Sequence, residues 1–445
     1  MKKNQFNTKF GVVAATVGSA VGLGNIWRFP YEAGAHGGGA FLIVYLLFVL
    51  ILGIPVICAE FLIGHSSGAD VYTAFTKLNG GRLWRLVGRM GLAAALLILG
   101  FYSVVAGWTV EYIYQSVISF GGATTADELH AQFGAFSSDA VKPLWWILAF
   151  LAANYVILIR GVGKGIERMS NILMPLLFVI LLVFVINSLM LPKAAEGLEF
   201  LFKPDFSAIT PSVVLGALGQ AFFSLSLGLG CLITYASYFR ADTPLVKTAT
   251  ISALLDMLVA IMAGVIIFPA VFTYGQEPSA GPQLVFEVLP SIFLNMPGGI
   301  VWATLFFILL FVASLTSTLS MFEILIAYME RSLSMSRLKA VSLTLMVVIV
   351  LSTLCSLSFG KLDGIRVFGL NLFSLSDYLS SNILLPVGGI LISIFAGWIV
   401  ERHTVRLELL GSAPSTLLRI SVRIIIFNLR YLAPIGIGLI FIFGL

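Results

Sequence analysis

Polar side chains are few inside the apolar stretches of this 445-residue chain, and their types suggest ion and zwitterion chemistry. Asn25, Ser224, Thr316 and Ser317 carry neutral oxygens. Carbonyl and hydroxyl oxygens suit a hard cation without any soft donor. Asp256 adds a carboxylate in the otherwise apolar run Ser252-Ala253-Leu254-Leu255-Asp256-Met257-Leu258-Val259-Ala260. At membrane depth such a charge is costly unless something pairs with it, so a functional role is the default, against a protonated or helix-bonded structural aspartate. Asn25 and Arg28 sit in Gly18-Ser19-Ala20-Val21-Gly22-Leu23-Gly24-Asn25-Ile26-Trp27-Arg28-Phe29-Pro30. Each glycine there weakens a helix by about 1 kcal/mol relative to alanine. Two readings stand. Gly18-x-x-x-Gly22 fits a small-residue packing face. Equally, the run fits a broken helix whose free N–H and C=O groups meet a ligand, since unwound backbone at membrane depth must be buried in protein or line a cavity. Thr316 and Ser317 follow Ala313 by three and four residues and so share a helical face, which fits ion ligation or helix packing.

The elements that position these groups are membrane spans. The chain is 59% hydrophobic and 11% charged, with a mean hydropathy of +1.02, which excludes a soluble globule. Eleven apolar stretches, each close to the ~20 residues needed to cross a bilayer, fall at about 10–31, 40–64, 89–119, 143–160, 170–191, 211–238, 248–273, 299–329, 339–359, 378–400 and 420–444. None alternates in ten-residue segments, so the chain reads as all-α rather than as a barrel. Lys2, Lys3 and Lys9, then Lys77 to Arg89, Arg160 to Arg168, Arg240 with Lys247, Arg331 to Lys339, and Arg402 with Arg406 occupy alternate loops, while Asp127, Glu128, Asp139, Glu277 and Glu287 lie in the others. The positive-inside rule places the N-terminus in the cytoplasm and the C-terminus outside. Net charge is +5, and this loop pattern accounts for it better than nucleic acid does. The first apolar stretch lacks a small-residue cleavage site and reads as a retained span. Arg430, within the last stretch, reads as snorkelling to the inner interface. Cys58, Cys231 and Cys355 have no C-x-x-C spacing, which argues against disulfide or thiolate metal chemistry. His36, His65, His130 and His403 sit in loops or at span ends, away from any mid-membrane nucleophile, so an enzyme is not expected. A channel is disfavoured because no filter motif is present.

The sixth stretch repeats the oddity of the first. Gln220-Ala221-Phe222-Phe223-Ser224-Leu225-Ser226-Leu227-Gly228-Leu229-Gly230 places hydroxyls and a Gly-Leu-Gly near mid-membrane. A break recurring five spans later divides the chain into two halves inserted in opposite senses, about 8–192 and 208–402, with an extra helix at 418–445. Matching interruptions in inverted halves point to a transporter's binding site.

The run G-S-A-V-G-L-G-N-I-W-R-F-P with Gly37-Gly38-Gly39-Ala40-Phe41, the run S-L-S-L-G-L-G-C-L-I-T-Y-A-S-Y, and A-S-L-T-S at 313–317 resemble the neurotransmitter:sodium symporter family. The resemblance covers essentially the whole chain, in the form of a bacterial, eleven-span member in the inner (cytoplasmic) membrane. It implies the LeuT fold, a 5+5 inverted repeat with unwound first and sixth helices in one transmembrane domain spanning 1–445. It also implies sodium-coupled import of a small amine or amino acid by alternating access, with no organic cofactor and no nucleic-acid partner. By resemblance, one sodium uses Ala20, Asn25, Ser224 and a seventh-span position that is Asp256 here, where many relatives have asparagine. A second uses Gly18, Val21, Ala313, Thr316 and Ser317. In chloride-dependent relatives the anion lies near positions matching Tyr45, Gln220, Ser224 and a serine that is Ala260 here. Asp256 is therefore expected to supply the negative charge and to make chloride unnecessary.

The resemblance further puts a substrate carboxylate at Leu23, Gly24 and Tyr102, and an ammonium at Ala20, Phe223, Ser224 and Ser226. The side-chain pocket is then Ile98, Tyr102, Phe223, Leu229, Ser317 and Met321. None of these is charged, and an unpaired buried charge is costly, so a neutral L-amino acid, aliphatic or aromatic, is the expected substrate. Another small amine or zwitterion is the alternative. Arg28 and Asp377 form the expected outer gate. Lys3 and Phe6 form the inner one, with Glu330 beside Arg331 where relatives have an aspartate. Glu60 and Glu323 are expected to support unwound backbone.

Overall fold

The computed structural model describes residues 5–122, 125–275, 284–411 and 414–443. Among the described residues, eight helices are long and apolar enough to cross a membrane, or ten if each of two bent pairs is one span. We number the spans in chain order. Span 1 is the pair Lys9–Ala20 and Gly24–Ala35, bent by 54°, and span 2 is Gly39–Ser67. Spans 3, 4 and 5 are Arg82–Val117, Lys142–Leu158 and Val162–Leu189. Span 6 is a shorter pair, Pro211–Ser224 and Cys231–Ala236, and span 7 is Leu245–Tyr274. Spans 8 to 11 are Gly299–Arg331, Arg337–Leu357, Leu372–Ile399 and Thr416–Phe443. The eleven stretches read from the sequence are consistent with these helices and broken pairs.

The two breaks arise differently. Span 1 leaves the α-helix at Val21 (φ −66°, ψ 114°), and Gly18 remains inside regular helix. None of Gly18, Gly22 and Gly24 takes a positive φ. They are clearances: a Cβ on Gly22 would lie 2.7 Å from Ser317 Oγ, and one on Gly24 would lie 2.8 Å from the Phe223 ring. Gly18 packs on spans 5 and 8, where a Cβ would come 3.4 Å from Met174 Sδ and 3.2 Å from Thr316 Cβ. Span 6 opens by handedness instead, with positive φ at Ser226 (52°), Gly228 (84°) and Gly230 (82°). Glycine adopts that region freely and serine does not, so Ser226 is held there by its surroundings.

Five of the seven wide π-turns among the described residues share one cause; Val162–Glu167 and Phe395–Ile399 lack it. Wide π-turns at Gly24–Arg28, Val49–Gly53, Leu284–Val288, Leu379–Leu384 and Asn428–Leu432 are each followed by a helix whose second residue is proline. These are Pro30, Pro55, Pro290, Pro386 and Pro434. Proline has no N–H and its ring clashes with the carbonyl four residues back. A turn with one extra residue relieves that clash without ending the helix.

Outside the spans lie helices that the sequence reading did not specify. Val71–Lys77 is capped by Asp70, Ala126–Ser138 is closed by a Thr125–Glu128 capping box, and Ala194–Phe202 and Arg402–Leu410 follow spans 5 and 10.

Candidate functional site

The breaks of spans 1 and 6 face one another across a cavity of about 30 Å³. Every position assigned to the substrate lines it except Leu23: Ala20, Gly24, Ile98, Tyr102, Phe223, Ser224, Ser226, Leu229, Ser317 and Met321. Leu23 contributes through its backbone, its N–H donating to Tyr102 Oη at 3.1 Å. Gly22 and Leu385 also line the cavity and were not foreseen. Gly22 stood in the quoted motif, but Leu385 is one apolar residue in an apolar helix and gave no signal. Ser226 Oγ donates to the Ser19 carbonyl at 3.3 Å, tying the two breaks together. No lining residue is charged.

One wall of the cavity leads to a buried polar cluster. Asp256 is fully buried and accepts from Asn25 Nδ2 at 2.7 Å and from Ser224 Oγ at 2.6 Å. Asn25 Nδ2 also donates to Ser224 Oγ (2.8 Å), while its Oδ1 accepts the Gly22 N–H (3.0 Å). Tyr45 Oη lies 3.5 Å from Ser224 Oγ, and Gln220 Nε2 donates to the Gly24 carbonyl at 3.1 Å. The carboxylate therefore sits beside Ser224, which Tyr45 also approaches, two of the positions that the resemblance associated with an anion. Ala260, fully buried on span 7, offers no hydroxyl there.

A second oxygen cluster lies on the other side of the break. Ser317 Oγ donates to the Val21 carbonyl at 2.9 Å and reaches the Gly18 carbonyl at 3.4 Å. Thr316 Oγ1 donates to Ala313 O and Val312 O, both at 3.1 Å. All five positions assigned to the second sodium thus converge between spans 1 and 8.

The closing groups differ in part from expectation. Arg28 lies with its guanidinium 4.4 Å from the centre of the Phe223 ring and 3.6 Å from Glu32, one turn further along span 1. Asp377 instead accepts from Ser381 Oγ at 2.8 Å. Beyond Arg28 opens a cavity of about 500 Å³, lined among others by Glu32, His36, Ser381 and Asn382. At the opposite end Phe6 is buried against Tyr235 and Phe239, and its N–H donates to the Tyr238 carbonyl at 3.1 Å. Lys3 lies outside the described residues. Glu330 pairs with Arg337 at 3.0 Å, and Arg331 lies over the Tyr238 ring at 4.5 Å. Glu60 accepts the Gly228 N–H at 2.9 Å, as expected of a support for unwound backbone. Glu323 does not have that role. It accepts from Tyr238 Oη at 2.7 Å and pairs with Arg337 at 2.6 Å, a partner that comes close because span 9 folds back directly after span 8. Glu167 was also missed. Its carboxylate accepts from Asn7 N–H (2.8 Å), Asn7 Nδ2 (2.9 Å), Thr8 N–H (3.0 Å) and Thr8 Oγ1 (2.9 Å), so it fixes the start of span 1 to span 5.

A multi-pass membrane protein whose two interrupted helices enclose a small uncharged cavity, with oxygen clusters beside it, is a secondary transporter. The model of the sodium:neurotransmitter symporter family matches residues 3–125 and 128–437, and the chain belongs to that family of transporters. An uncharacterised sodium-dependent transporter of Bacillus subtilis (strain 168), YhdH, is 36% identical over 99% of this chain and 97% of its own length. One from Haemophilus influenzae is 35% identical over 100% and 98%. The crystal structure of MhsT in complex with L-phenylalanine superposes with a TM-score of 0.91 at 43% identity, covering 99% of this chain and 100% of that one. The fold is that of LeuT, all-helical with the first and sixth spans unwound.

Proposed function

We propose that the chain imports a neutral, hydrophobic L-amino acid together with sodium, by alternating access and without chloride. Ser224 carries this reading: it lines the uncharged cavity and donates to the buried Asp256 carboxylate, so substrate and ion sites share a side chain. Two sodium ions are the proposed co-substrates. One is held by Ala20, Asn25, Ser224 and Asp256, the other by Gly18, Val21, Ala313, Thr316 and Ser317. The substrate carboxylate meets Leu23, Gly24 and Tyr102, and its ammonium meets carbonyls at the two breaks. An uncharged wall leaves acidic and basic side chains unpaired and therefore rejects them. The phenylalanine bound in MhsT supports an apolar side chain in this pocket. The two halves, about 8–192 and 208–402, form one domain with inverted senses, and 418–445 is the extra helix. Charge in the loops supports a cytoplasmic N-terminus in a bacterial inner membrane and an external C-terminus, with Arg28 and Asp377 toward the outside and Phe6 and Glu330 toward the inside.

The test is uptake of tritiated leucine, phenylalanine and tryptophan into proteoliposomes with an inward sodium gradient. Saturable, concentrative uptake that needs sodium and persists in gluconate is expected. Uptake indifferent to sodium overturns the coupling, and collapse in gluconate overturns the role given to Asp256.

A further inference from the structure

One wall of the central cavity has been given no role. Every lining residue but one comes from the span 1 break or from spans 3, 6 and 8; the exception is Leu385 of span 10. Leu385 and Phe223 also line the larger cavity beyond Arg28, so these two residues border both spaces.

Span 10 comes this close because backbone meets backbone. A Cβ on Gly228, in the unwound part of span 6, would collide with the Leu385 carbonyl oxygen and lie 2.8 Å from Gly389 N. A Cβ on Gly388 would collide in turn with the Gly228 carbonyl oxygen. With no side chain between them, the two segments hold the Leu385 backbone at a fixed depth. The wide turn Leu379–Leu384 ends directly before Leu385. One extra residue in a turn rotates everything after it by about 100°. The turn thus sets which residue of span 10 faces inward, and Leu385 is 6% exposed there.

We infer that Leu385 is a specificity-determining residue: with Phe223 it sets how large a neutral side chain the cavity closes over. An isobutyl group has no partner for a carboxylate or an ammonium, so it meets the apolar end of a substrate. The inference rests on the amino-acid reading proposed above. Shortening Leu385 deepens the pocket, and enlarging it shortens the pocket.

The experiment is competition for sodium-dependent tritiated leucine binding by alanine, leucine, phenylalanine and tryptophan, on the purified full chain. Leu385→Ala should move the tryptophan-to-leucine affinity ratio about tenfold toward tryptophan, the scale on which one or two methylenes discriminate in an apolar pocket. Leu385→Phe should move preference by a similar factor toward alanine, with the sodium half-saturation concentration unchanged in both. Leu385→Val replaces Leu385→Ala, and Leu385→Met replaces Leu385→Phe, where the first substitution is not recovered folded. Unchanged ratios in both directions, or a shift in the same direction for both, overturn the inference while leaving the transport reading intact. A wild-type chain that binds none of these amino acids in sodium refutes the amino-acid reading itself and the inference with it.

Discussion

Asn25→Ala tests the ion site most directly. The side chain is fully buried and joins three groups: Asp256, Ser224 and the Gly22 N–H. Its bond to the carboxylate is of the charge-assisted kind, ~1.5–3 kcal/mol, and each of the other two contributes ~1 kcal/mol. The gross loss is about 4 kcal/mol, and water entering the space left behind offsets part of it. A net ~2 kcal/mol corresponds to about a 30-fold weakening. That weakening should fall on the sodium dependence of substrate binding, because the amide oxygen is also an assigned sodium ligand. The assay is scintillation-proximity binding of a tritiated amino acid across a sodium titration, with the melting temperature measured in parallel. Asp256→Asn and the double variant complete a cycle whose coupling energy should be ~1–3 kcal/mol. Unchanged binding in a monodisperse Asn25→Ala protein, or zero coupling in the cycle, refutes the network.

Gly22→Ala should abolish substrate binding and lower thermal stability by about 1–3 kcal/mol, since the added Cβ lies 2.7 Å from Ser317 Oγ and 3.0 Å from Tyr102 Oη; binding and melting curves decide it. Arg337→Ala leaves Glu323 fully buried with Tyr238 as its remaining partner among the described residues, and should cost ~3–5 kcal/mol, read as a lowered melting temperature. Outside the spans, His130 Nδ1 lies 2.7 Å from Glu287 Oε2, and this hydrogen bond and charge raise the histidine pKa above its usual value. A raised histidine pKa means that the contact's stabilisation is complete below the unfolded value of about 6.5 and is lost as pH rises through the folded value. Intrinsic-rate-corrected hydrogen exchange in Val285–Leu294 should therefore be faster near pH ~8 than near pH ~6, and the difference should vanish in His130→Gln.

The spans were legible because a bilayer demands ~20 apolar residues whatever the tertiary contacts. Asn25, Ser224 and Asp256 were legible singly, as polar groups costly at that depth, and it was the family resemblance that joined them into one site. The cause of the first break was not legible. The sequence suggested that glycines at 18, 22 and 24 open the helix, but the departure is at Val21, and Gly22 and Gly24 are small to leave room for Ser317, Tyr102 and Phe223. Of the two breaks, that of span 6 is the one in which glycines supply left-handed backbone. Glu32 was within reach of sequence reasoning, since four residues from Arg28 on a helix is ion-pair spacing. The pairing of Glu323 with Arg337 was hidden by a chain reversal that no local pattern encodes. Leu385 was hidden by its environment, an apolar residue among apolar residues, although Pro386 beside it marks the wide turn that aims it.

The Glu167 contact has a mechanical consequence. The Lys9–Ala20 helix has 12 residues, which makes it a rod about 18 Å long, joined to the rest of span 1 through the break at Val21. A tilt of only about 10° at that hinge would carry the far end some 3 Å. A displacement of that size exceeds what a hydrogen bond with a ~3 Å donor-to-acceptor distance tolerates. Glu167 grips Asn7 and Thr8 at the far end, where lever travel is greatest. A contact in that place would be stretched most by a rotation at Val21, so a small change of shape beside the cavity would be felt at the start of span 1.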